Sequence, residues 1–448
     1  MHRSDHRLRR RSVLAGGALL AAGPRARAQA KLPISFWHGM SGEPGDEVNR
    51  ICASFNASQA EVEIRPFYKG SYVEVMIATV AAWRAGVPPH IAQIYDIGTG
   101  TMQASAYAAK PAWQLFRETG VAFDPAAYIP AVRAYYGTAD GRMQSMPFNS
   151  STGLMWINRD AFKRAGLDPD HPPATWDDVV AAVHTPKAKG AAEVPLTTAS
   201  PSWIHFEMFS AIHNIPFASG GNGFDGLNVE LKFNSPAHVR NLQRLLDLHK
   251  DGLFKLNGRD RDGDPVFPTG RAGITTSSSA SRGQYKRDAK FAWSACFLPY
   301  DQTVIAKPIN STIGGASLWT LTAKQRTGAE YAAVARFLHF IANPDMDALW
   351  HQRTGYVPVT LAGYEKSRDQ GYYDKNPGAD LPILQLTRHQ PTANSRGIRL
   401  GRMPEVRDIL EEEIERSMGG EKGAQAALDS AVERGNRVLR EFERSTRQ

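Results

Sequence analysis

The stretch LPISFWHGMSGEPGDEVNRICASFNASQAEVEIRPFYKGSYVEVMIATVAAWRAGVPPHIAQIYD, residues 32–96, decides the fold class. It contains three segments with strand character, which are apolar runs or alternate between apolar and polar residues, and two segments with helical spacing. The strands are predicted at 32–37, 62–68 and 90–95, and the helices at 47–55 and 72–83. A strand–helix–strand–helix–strand order predicts a parallel sheet that is covered by helices.

Two residues of this first unit follow predicted strands directly. Tyr72 comes on the loop after the second strand, and Asp96 comes just past the third. Ligands of open α/β sheets bind at the carboxyl ends of the strands, so both residues are candidates for a binding site.

A second α/β unit is predicted from Phe148 onward. Thr175 is the predicted N-cap of one of its helices, with Asp178 three residues later. The other elements predicted after Phe148 are strands at 154–158, 227–233 and 313–321, and helices at 159–165, 203–213, 237–251, 404–418 and 423–442. Two α/β units fit the length of 448 residues.

The net charge of +8 comes mostly from residues 1–30, which hold seven arginines and one acid. The rest of the chain has 46 basic and 44 acidic residues, which gives no support for nucleic-acid binding. Arginines 9–11, the apolar stretch 13–22 and the small residues around 28–30 predict an export signal peptide. The adjacent arginines favour the twin-arginine route, with general secretion as the alternative, and either route predicts a periplasmic protein.

Cys52 and Cys296 are the two cysteines of the chain. Cys52 falls on the apolar face of a predicted helix, so we expect two buried thiols, and a disulfide between them is the alternative.

Motifs that carry catalytic or metal chemistry are incomplete. The run GNGFDG at 221–226 matches a dinucleotide fingerprint, but a predicted strand follows it where a helix is needed. Asp260, Asp262 and Asp264 imitate a calcium loop that lacks its glycine and its glutamate. His205 and His213 lack the four-residue spacing of a zinc helix. These failures point to a binding protein without metal rather than to an enzyme.

Several longer stretches resemble one protein family. They include NRDAFKRAGLD at 158–168, IGGASLW at 313–319, WHQRTGY at 350–356 and GIRLGRMP at 397–404. Shorter matches are FWH at 36–38, YKGSY at 68–72, PFNSST at 147–152, PFAS at 216–219 and NPGAD at 376–380. Together they resemble the extracellular solute-binding proteins of ABC importers, in the maltose-binding-like group. Within it, the resemblance is greatest to the members that bind glycerophosphates.

The resemblance implies a two-lobed periplasmic binding protein of type II, with a ligand cleft between the lobes. We expect lobe 1 to comprise residues 31–147 and 312–360, and lobe 2 to comprise residues 148–311 and 361–448. The implied ligand is sn-glycerol 3-phosphate, a glycerophosphodiester such as glycerophosphocholine, or both. The implied partners are the permease and ATPase subunits of an importer, with no cofactor and no nucleic acid, and the protein is expected to be a monomer.

The same resemblance implies the ligand-binding residues Tyr72, Asp96, Ser151, Ser278, Gly315, Tyr356 and Arg407, and Trp203 is added as a further wall. An arginine offers a planar fork to two phosphate oxygens at once. Asp96 suits a vicinal diol and would repel phosphate, so we expect it at the glycerol end. We also expect Arg407→Ala to abolish binding and to leave the melting temperature nearly unchanged.

Each of these residues has a structural alternative. Arg407 is one turn from Glu411 and is expected to pair with it if it lies on the surface. Asp96 is equally suited to cap the following helix. Tyr72 and Tyr356 are also compatible with positions in the core, and Ser278 with a loop that binds no ligand.

Two departures from well-known family members concern the volume of the cleft. Asp96 stands where they have glutamate, and Ser200 stands where they have tryptophan. The smaller side chains predict space for a substituent on the phosphate or on the glycerol. A sugar-binding protein of the same fold and a periplasmic phosphodiesterase are the rival functions.

Overall fold

The computed structural model describes residues 30–105, 108–138 and 140–446. The predicted export signal at residues 1–30 lies outside the described residues, apart from Ala30. The strands are β1 Leu32–His38, β2 Val62–Tyr68, β3 Ile91–Tyr95, β4 Ala109–Lys110, β5 Met146–Ser151, β6 Gly153–Asn158, β7 Val194–Thr198, β8 Phe254–Leu256, β9 Ala272–Ser278, β10 Trp293–Cys296 and β11 Gly314–Leu321.

Helices cover both sheets that these strands form. They are α1 Gly42–Ser58, α2 Tyr72–Arg84, α3 Thr99–Ala104, α4 Ala112–Thr119, α5 Pro130–Tyr136, α6 Arg159–Ala165, α7 Trp176–Ala188, α8 Phe209–Ile212, α9 Ser219–Gly223, α10 Pro236–Lys250, α11 Ser281–Asp288, α12 Gly328–Ile341, α13 Pro344–Thr354, α14 Leu361–Asp369, α15 Tyr372–Lys375, α16 Leu381–Leu386, α17 Met403–Met418 and α18 Ala424–Thr446. A short 3₁₀ turn spans Asp96–Gly98, and a π-helical turn spans Trp203–Met208.

The first sheet has the strand order β2-β1-β3-β11-β4, and β5 also pairs with β11. The strands β1, β2 and β3 are parallel, as the sequence predicts, and β11 runs antiparallel to β3, β4 and β5. The second sheet has the order β10-β6-β9-β7-β8. Thr152 alone separates β5 of the first sheet from β6 of the second, so the chain crosses between the sheets there.

The helix faces that the sequence marks as apolar are the faces that pack. Val48, Ile51, Cys52 and Phe55 of α1 are buried against the first sheet, together with residues of α12 such as Phe337. The other face of this sheet packs, through Ile94 and neighbours, in a cluster with α17, α18 and α10. Burial of these apolar side chains, at about 25 cal/mol per Å², stabilises both layers.

Most predicted elements are confirmed, and one is wrong. Thr175 caps α7 as expected, with Asp178 bonding back to the backbone of Thr175. Both cysteines are buried and free, which confirms the prediction of two thiols. The predicted strand at 227–233 does not form, because only Leu231 makes a bridge, to Ala218.

None of the helices in the described part of the chain combines the length and the hydrophobicity that crossing a membrane requires.

Candidate functional site

One cavity, with a volume of about 550 Å³, is lined by all eight residues that the sequence predicts for the site. They come from widely separated parts of the chain, namely Tyr72, Asp96, Ser151, Trp203, Ser278, Gly315, Tyr356 and Arg407. A groove of about 620 Å³ between α7 and α10 contains none of them. The cavity is therefore the candidate site.

A wall of the cavity with hydroxyl groups lies where the two sheets meet. Ser151 ends β5 and pairs with Gly314, and Ser278 ends β9 and pairs with Gly153. The Ser278 hydroxyl accepts a hydrogen bond from the backbone of Ala280 at 3.2 Å, which leaves its proton available for a ligand. This wall is neutral and offers hydrogen-bond donors.

Gly315 brings the backbone of β11 into the same wall. Its φ of +106° is one that residues with a side chain rarely adopt, and a Cβ there would lie 1.9 Å from the carbonyl oxygen of Asn149. The neighbouring Gly314 leaves room for the indole of Trp203, which would lie 2.5 Å from a Cβ at that position. Glycine is thus required where β11 borders the cavity.

Two tyrosines from the side of the first sheet complete the hydroxyl wall. Tyr72 is the first residue of α2, and a capping box between Ser71 and Glu74 fixes the start of that helix. The Tyr72 hydroxyl accepts a hydrogen bond from the Asn149 amide at 2.7 Å and lies 3.4 Å from the Tyr356 hydroxyl. Burial raises the pKa of Tyr72 well above its usual value, so its phenol stays a neutral donor.

Arg407 forms the charged part of the cavity with a carboxylate that sequence analysis missed. Its Nε and Nη2 atoms each donate a hydrogen bond of 2.9 Å to the carboxylate of Glu207. The Glu207 side chain is 2% exposed, and Asp96 lies 3.9 Å from Nη2 on another side. A bidentate pair of this kind fixes the direction of the guanidinium.

This geometry corrects the expected role of Arg407. The Nε–Nη2 edge of its fork is occupied by Glu207, so that edge is not offered to phosphate. Two carboxylates next to Arg407 would also repel a phosphate dianion. The ion pair also changes the expectation for the melting temperature of Arg407→Ala. We now expect it to fall, because the change leaves Glu207 buried without its partner.

The structural alternatives for Arg407 and Asp96 have different outcomes. Arg407 does not form an ion pair with Glu411, whose carboxylate accepts a hydrogen bond from Ser202 at 2.6 Å. Asp96 is the first residue of the 3₁₀ turn and accepts a backbone hydrogen bond from Ile97 while it lines the cavity. Asp96 therefore has a local role as well as a place in the site.

Burial raises the pKa of the Asp96 carboxyl to about 7, although Arg407 acts to lower it and Glu207 adds to the rise. Burial also raises the pKa of Glu207, against the effect of Arg407. The pKa of Arg407 is raised, because the two carboxylates outweigh the cost of burying its charge. This end of the cavity is thus rich in acceptors around one fixed cation.

The loop between β8 and β9 contributes a second cation, Arg261, which sequence analysis also missed. In the sequence, the three aspartates at 260, 262 and 264 suggest a calcium motif. Arg261, which stands between the first two, is the sign in the sequence that this loop carries a positive charge. Within the described residues no group of three or more candidate metal ligands occurs. The loop holds Arg261 by a hydrogen bond from Nε to Asp264 at 2.8 Å.

The histidines near the site are structural, as the sequence analysis favours. His205 contacts the Thr198 hydroxyl at 3.1 Å, and His213 accepts a hydrogen bond from the backbone of Asp301 at 2.7 Å. Burial lowers the pKa of His205 to about 3 and that of His213 to about 4, so both are neutral at neutral pH.

Comparison with known proteins gives two concordant results. Residues 50–377 match the model of a family described as bacterial extracellular solute-binding protein. The chain is 43% identical over 447 residues to the sn-glycerol-3-phosphate-binding periplasmic protein UgpB of Pectobacterium atrosepticum, covering 99% of each chain. It is 44% identical over 437 residues to the protein of that name from an Escherichia coli strain, with 97% of this chain and 98% of the other covered.

Solved structures show the same fold. A structure of UgpB from Mycobacterium tuberculosis in complex with glycerophosphocholine matches with a TM-score of 0.76 at 21% identity, over 92% of this chain and 100% of the other. A binding protein for cyclic α-maltosyl-1,6-maltose from Arthrobacter globiformis matches with a TM-score of 0.73 at 22% identity, over 92% and 99%. At these identities the matches establish the maltose-binding-like fold.

Proposed function

The chain belongs to the bacterial extracellular solute-binding protein family and is a periplasmic protein, and we propose that its ligand is a glycerophosphate. Its partners are accordingly a small-molecule ligand and an ABC transporter. The proposed ligands are sn-glycerol 3-phosphate and glycerophosphodiesters such as glycerophosphocholine. Two of the relatives are named for the first compound, and one structural neighbour is a complex with the second.

The observation that carries this proposal is that one cavity is lined by two chemically different groups of side chains. Asp96 and Glu207 lie next to Arg407, and these acceptors and the guanidinium suit the hydroxyl groups of glycerol. Ser151, Ser278 and the tyrosines offer hydroxyl donors, which suit the oxygens of a phosphate. A glycerophosphate combines a glycerol part and a phosphate part in one molecule.

Binding is proposed to close the two lobes around the ligand. The proposed lobes are those predicted from the sequence, residues 31–147 with 312–360 and residues 148–311 with 361–448, and β5, which spans the first boundary, pairs with β11 of the first sheet. Site residues come from both sheets, with Gly315 on the first and Ser278 on the second, so a ligand that contacts both favours the closed form. The closed form is proposed to dock on the permease.

The small side chains at two positions support a diester as a second ligand. Ser200 lines the cavity, and so does Asp96, which is shorter than the glutamate of well-known family members. The space at Ser200 is proposed to accept the alcohol that is bound to the phosphate of a diester, and the shorter Asp96 leaves room beside the glycerol.

The remaining properties are proposals as well. We propose a monomer that does not act on its ligand and does not bind nucleic acid. The nearly balanced charge beyond residue 30 supports the last point.

The pH dependence of binding tests the assignment of Asp96 to the glycerol end. The ionised carboxylate accepts hydrogen bonds from the ligand, so affinity is lost as the pH falls through its pKa of about 7. For glycerophosphocholine, whose phosphate does not titrate near neutrality, we expect affinity to fall about tenfold from pH 8 to pH 6. In Asp96→Asn, calorimetry should show an affinity for glycerophosphocholine that does not change between pH 8 and pH 6. The same dependence of affinity on pH in the variant as in the wild type would contradict the assignment.

A thermal-shift panel tests the proposed function against its rivals. The purified chain without residues 1–30 should melt at a higher temperature with sn-glycerol 3-phosphate or glycerophosphocholine and not with maltose or longer maltodextrins. A shift with the sugars alone would favour the sugar-binding alternative. Release of choline or of glycerol phosphate during incubation with the diester would favour the phosphodiesterase.

A further inference from the structure

We propose that Arg261 selects the doubly charged phosphate monoester over singly charged diesters at this site. The inference deepens the proposed function and rests on it. It concerns a residue that contacts neither Glu207 nor Asp96, and that supplies the cavity with a second cation besides Arg407.

The side chain of Arg261 is held in place by Asp264, which lies three residues further along the same loop. Its Nε donates to Oδ2 of Asp264 at 2.8 Å, and the Asp264 side chain is only 5% exposed. The other carboxylate oxygen of Asp264 accepts hydrogen bonds from the hydroxyls of Ser277 at 2.5 Å and Ser281 at 3.3 Å. A carboxylate with these partners is not free to move, so it fixes the direction of the arginine.

The loop itself is held at several points. Arg259 makes a bidentate ion pair with Glu415, with hydrogen bonds of 2.8 Å and 2.5 Å. Asp262 accepts a hydrogen bond from the backbone of Arg259 at 3.2 Å, and Asp260 has a φ of +41° in the left-handed region. The backbone of Ser200 donates to the carbonyl of Asp260. An irregular backbone that is fixed this closely is typical of a loop that positions a side chain.

The free end of Arg261 faces the neutral wall of the cavity. Its Nη atoms make no hydrogen bond with the residues that the structure describes, and its side chain is 59% exposed and lines the cavity. The charged and titratable groups that act most strongly on it are Asp264 from its own loop, Tyr72 from α2 and Tyr356 from the segment after α13. Those tyrosines belong to the group of hydroxyl donors that we propose for the phosphate.

The difference in ligand charge gives the selectivity. A phosphate monoester carries nearly two negative charges above its second pKa of about 6, and a diester carries one. Attraction to Arg261 therefore favours the monoester, and it disfavours a diester whose second alcohol bears a cation. Arg407 has less of this effect, since two carboxylates, Glu207 and Asp96, oppose its charge, whereas within the described part of the chain the one ion pair of Arg261 is with Asp264.

The experiment compares affinities for sn-glycerol 3-phosphate and glycerophosphocholine by calorimetry, in the wild type and in Arg261→Gln, at pH 7.5 and 5.5. At pH 7.5 the substitution should reduce the preference for the monoester about tenfold, which corresponds to one charge-assisted hydrogen bond. In the wild type that preference should fall about threefold at pH 5.5 as the monoester loses charge, and in Arg261→Gln it should not change. Titration of Asp96 changes the affinity for both ligands, because both contain the glycerol that Asp96 is proposed to bind. This change therefore cancels in the ratio of the two affinities.

Two further variants serve as controls. Arg271→Gln removes the same charge from an exposed pair with Glu193 that does not line the cavity, and it should leave the ratio unchanged. Arg261→Lys keeps the charge and should retain part of the preference. An unchanged ratio in Arg261→Gln would overturn the inference and leave the proposed function standing. A wild type that binds neither ligand would overturn the proposed function, and this inference with it.

Discussion

Replacement of Arg407 by alanine is expected to abolish measurable glycerophosphate binding and to destabilise the free protein. The substitution removes the charge-assisted hydrogen bonds that we propose Arg407 makes to the ligand, and it leaves the surrounding side chains without support. Together these effects should reduce the affinity at least about a hundredfold. It also leaves the carboxylate of Glu207, which is 2% exposed, without its bidentate partner. Breaking a buried pair from one side costs about 3–5 kcal/mol. Calorimetry and urea unfolding measure the two effects.

A double variant separates the two losses. In Arg407→Ala with Glu207→Gln the buried charge is gone, so most of the stability should return while binding stays absent. Arg437→Ala is the matched control, because Arg437 pairs with Glu433 on the exposed face of α18 and should cost less than about 1 kcal/mol. Full stability and full affinity in the single Arg407→Ala variant would show that the ion pair serves neither purpose.

Gly315→Ala is expected to have the second large effect. A Cβ at this position would lie 1.9 Å from the carbonyl oxygen of Asn149, and the φ of +106° is strained for alanine. The strands β5 and β11 must separate to accept it, which disturbs Ser151 and the wall of the cavity. We expect a loss of at least about 2 kcal/mol in the free energy of unfolding, together with loss of binding.

Gly328→Ala provides a control with the same chemical change. Gly328 begins α12, and a Cβ there would have no atom within 4 Å. Alanine should be neutral there or stabilise by up to about 1 kcal/mol. If Gly315→Ala behaved like Gly328→Ala in both unfolding and binding, the tight approach of β5 and β11 would be disproved.

Local pattern was sufficient to predict most elements of the fold. The period-two alternation of β2 and the apolar face of α1 are local features, and both formed within the predicted bounds or slightly beyond them. The segment 227–233 shows the limit of that reasoning. Val229, Leu231 and Phe233 are buried in alternation, but they pack in the cluster with the C-terminal helices instead of entering a sheet. Alternation of apolar and polar residues indicates that one face of a segment is buried, but it does not show that the segment pairs with another strand.

The site was predictable only in part, because its partners are far apart in the chain. The resemblance to a family supplied seven residues that line one cavity together with Trp203, and no local spacing could have grouped them. Glu207 is 200 positions from Arg407, and a single acid in an apolar helix gave no sign of its partner. Arg261 was hidden between aspartates that suggested a different chemistry. Contacts of this range depend on the tertiary structure, which a sequence pattern does not contain.

Titration calorimetry of the purified chain without residues 1–30 tests the central proposal most directly. The protein is titrated with sn-glycerol 3-phosphate and with glycerophosphocholine in separate experiments. We expect one site per chain and, for at least one of the two compounds, a dissociation constant in the micromolar range, which corresponds to a binding free energy of about 8 kcal/mol. Absence of heat with both compounds at millimolar concentration, together with saturable binding of a maltodextrin, would contradict the proposal that this cavity binds glycerophosphates.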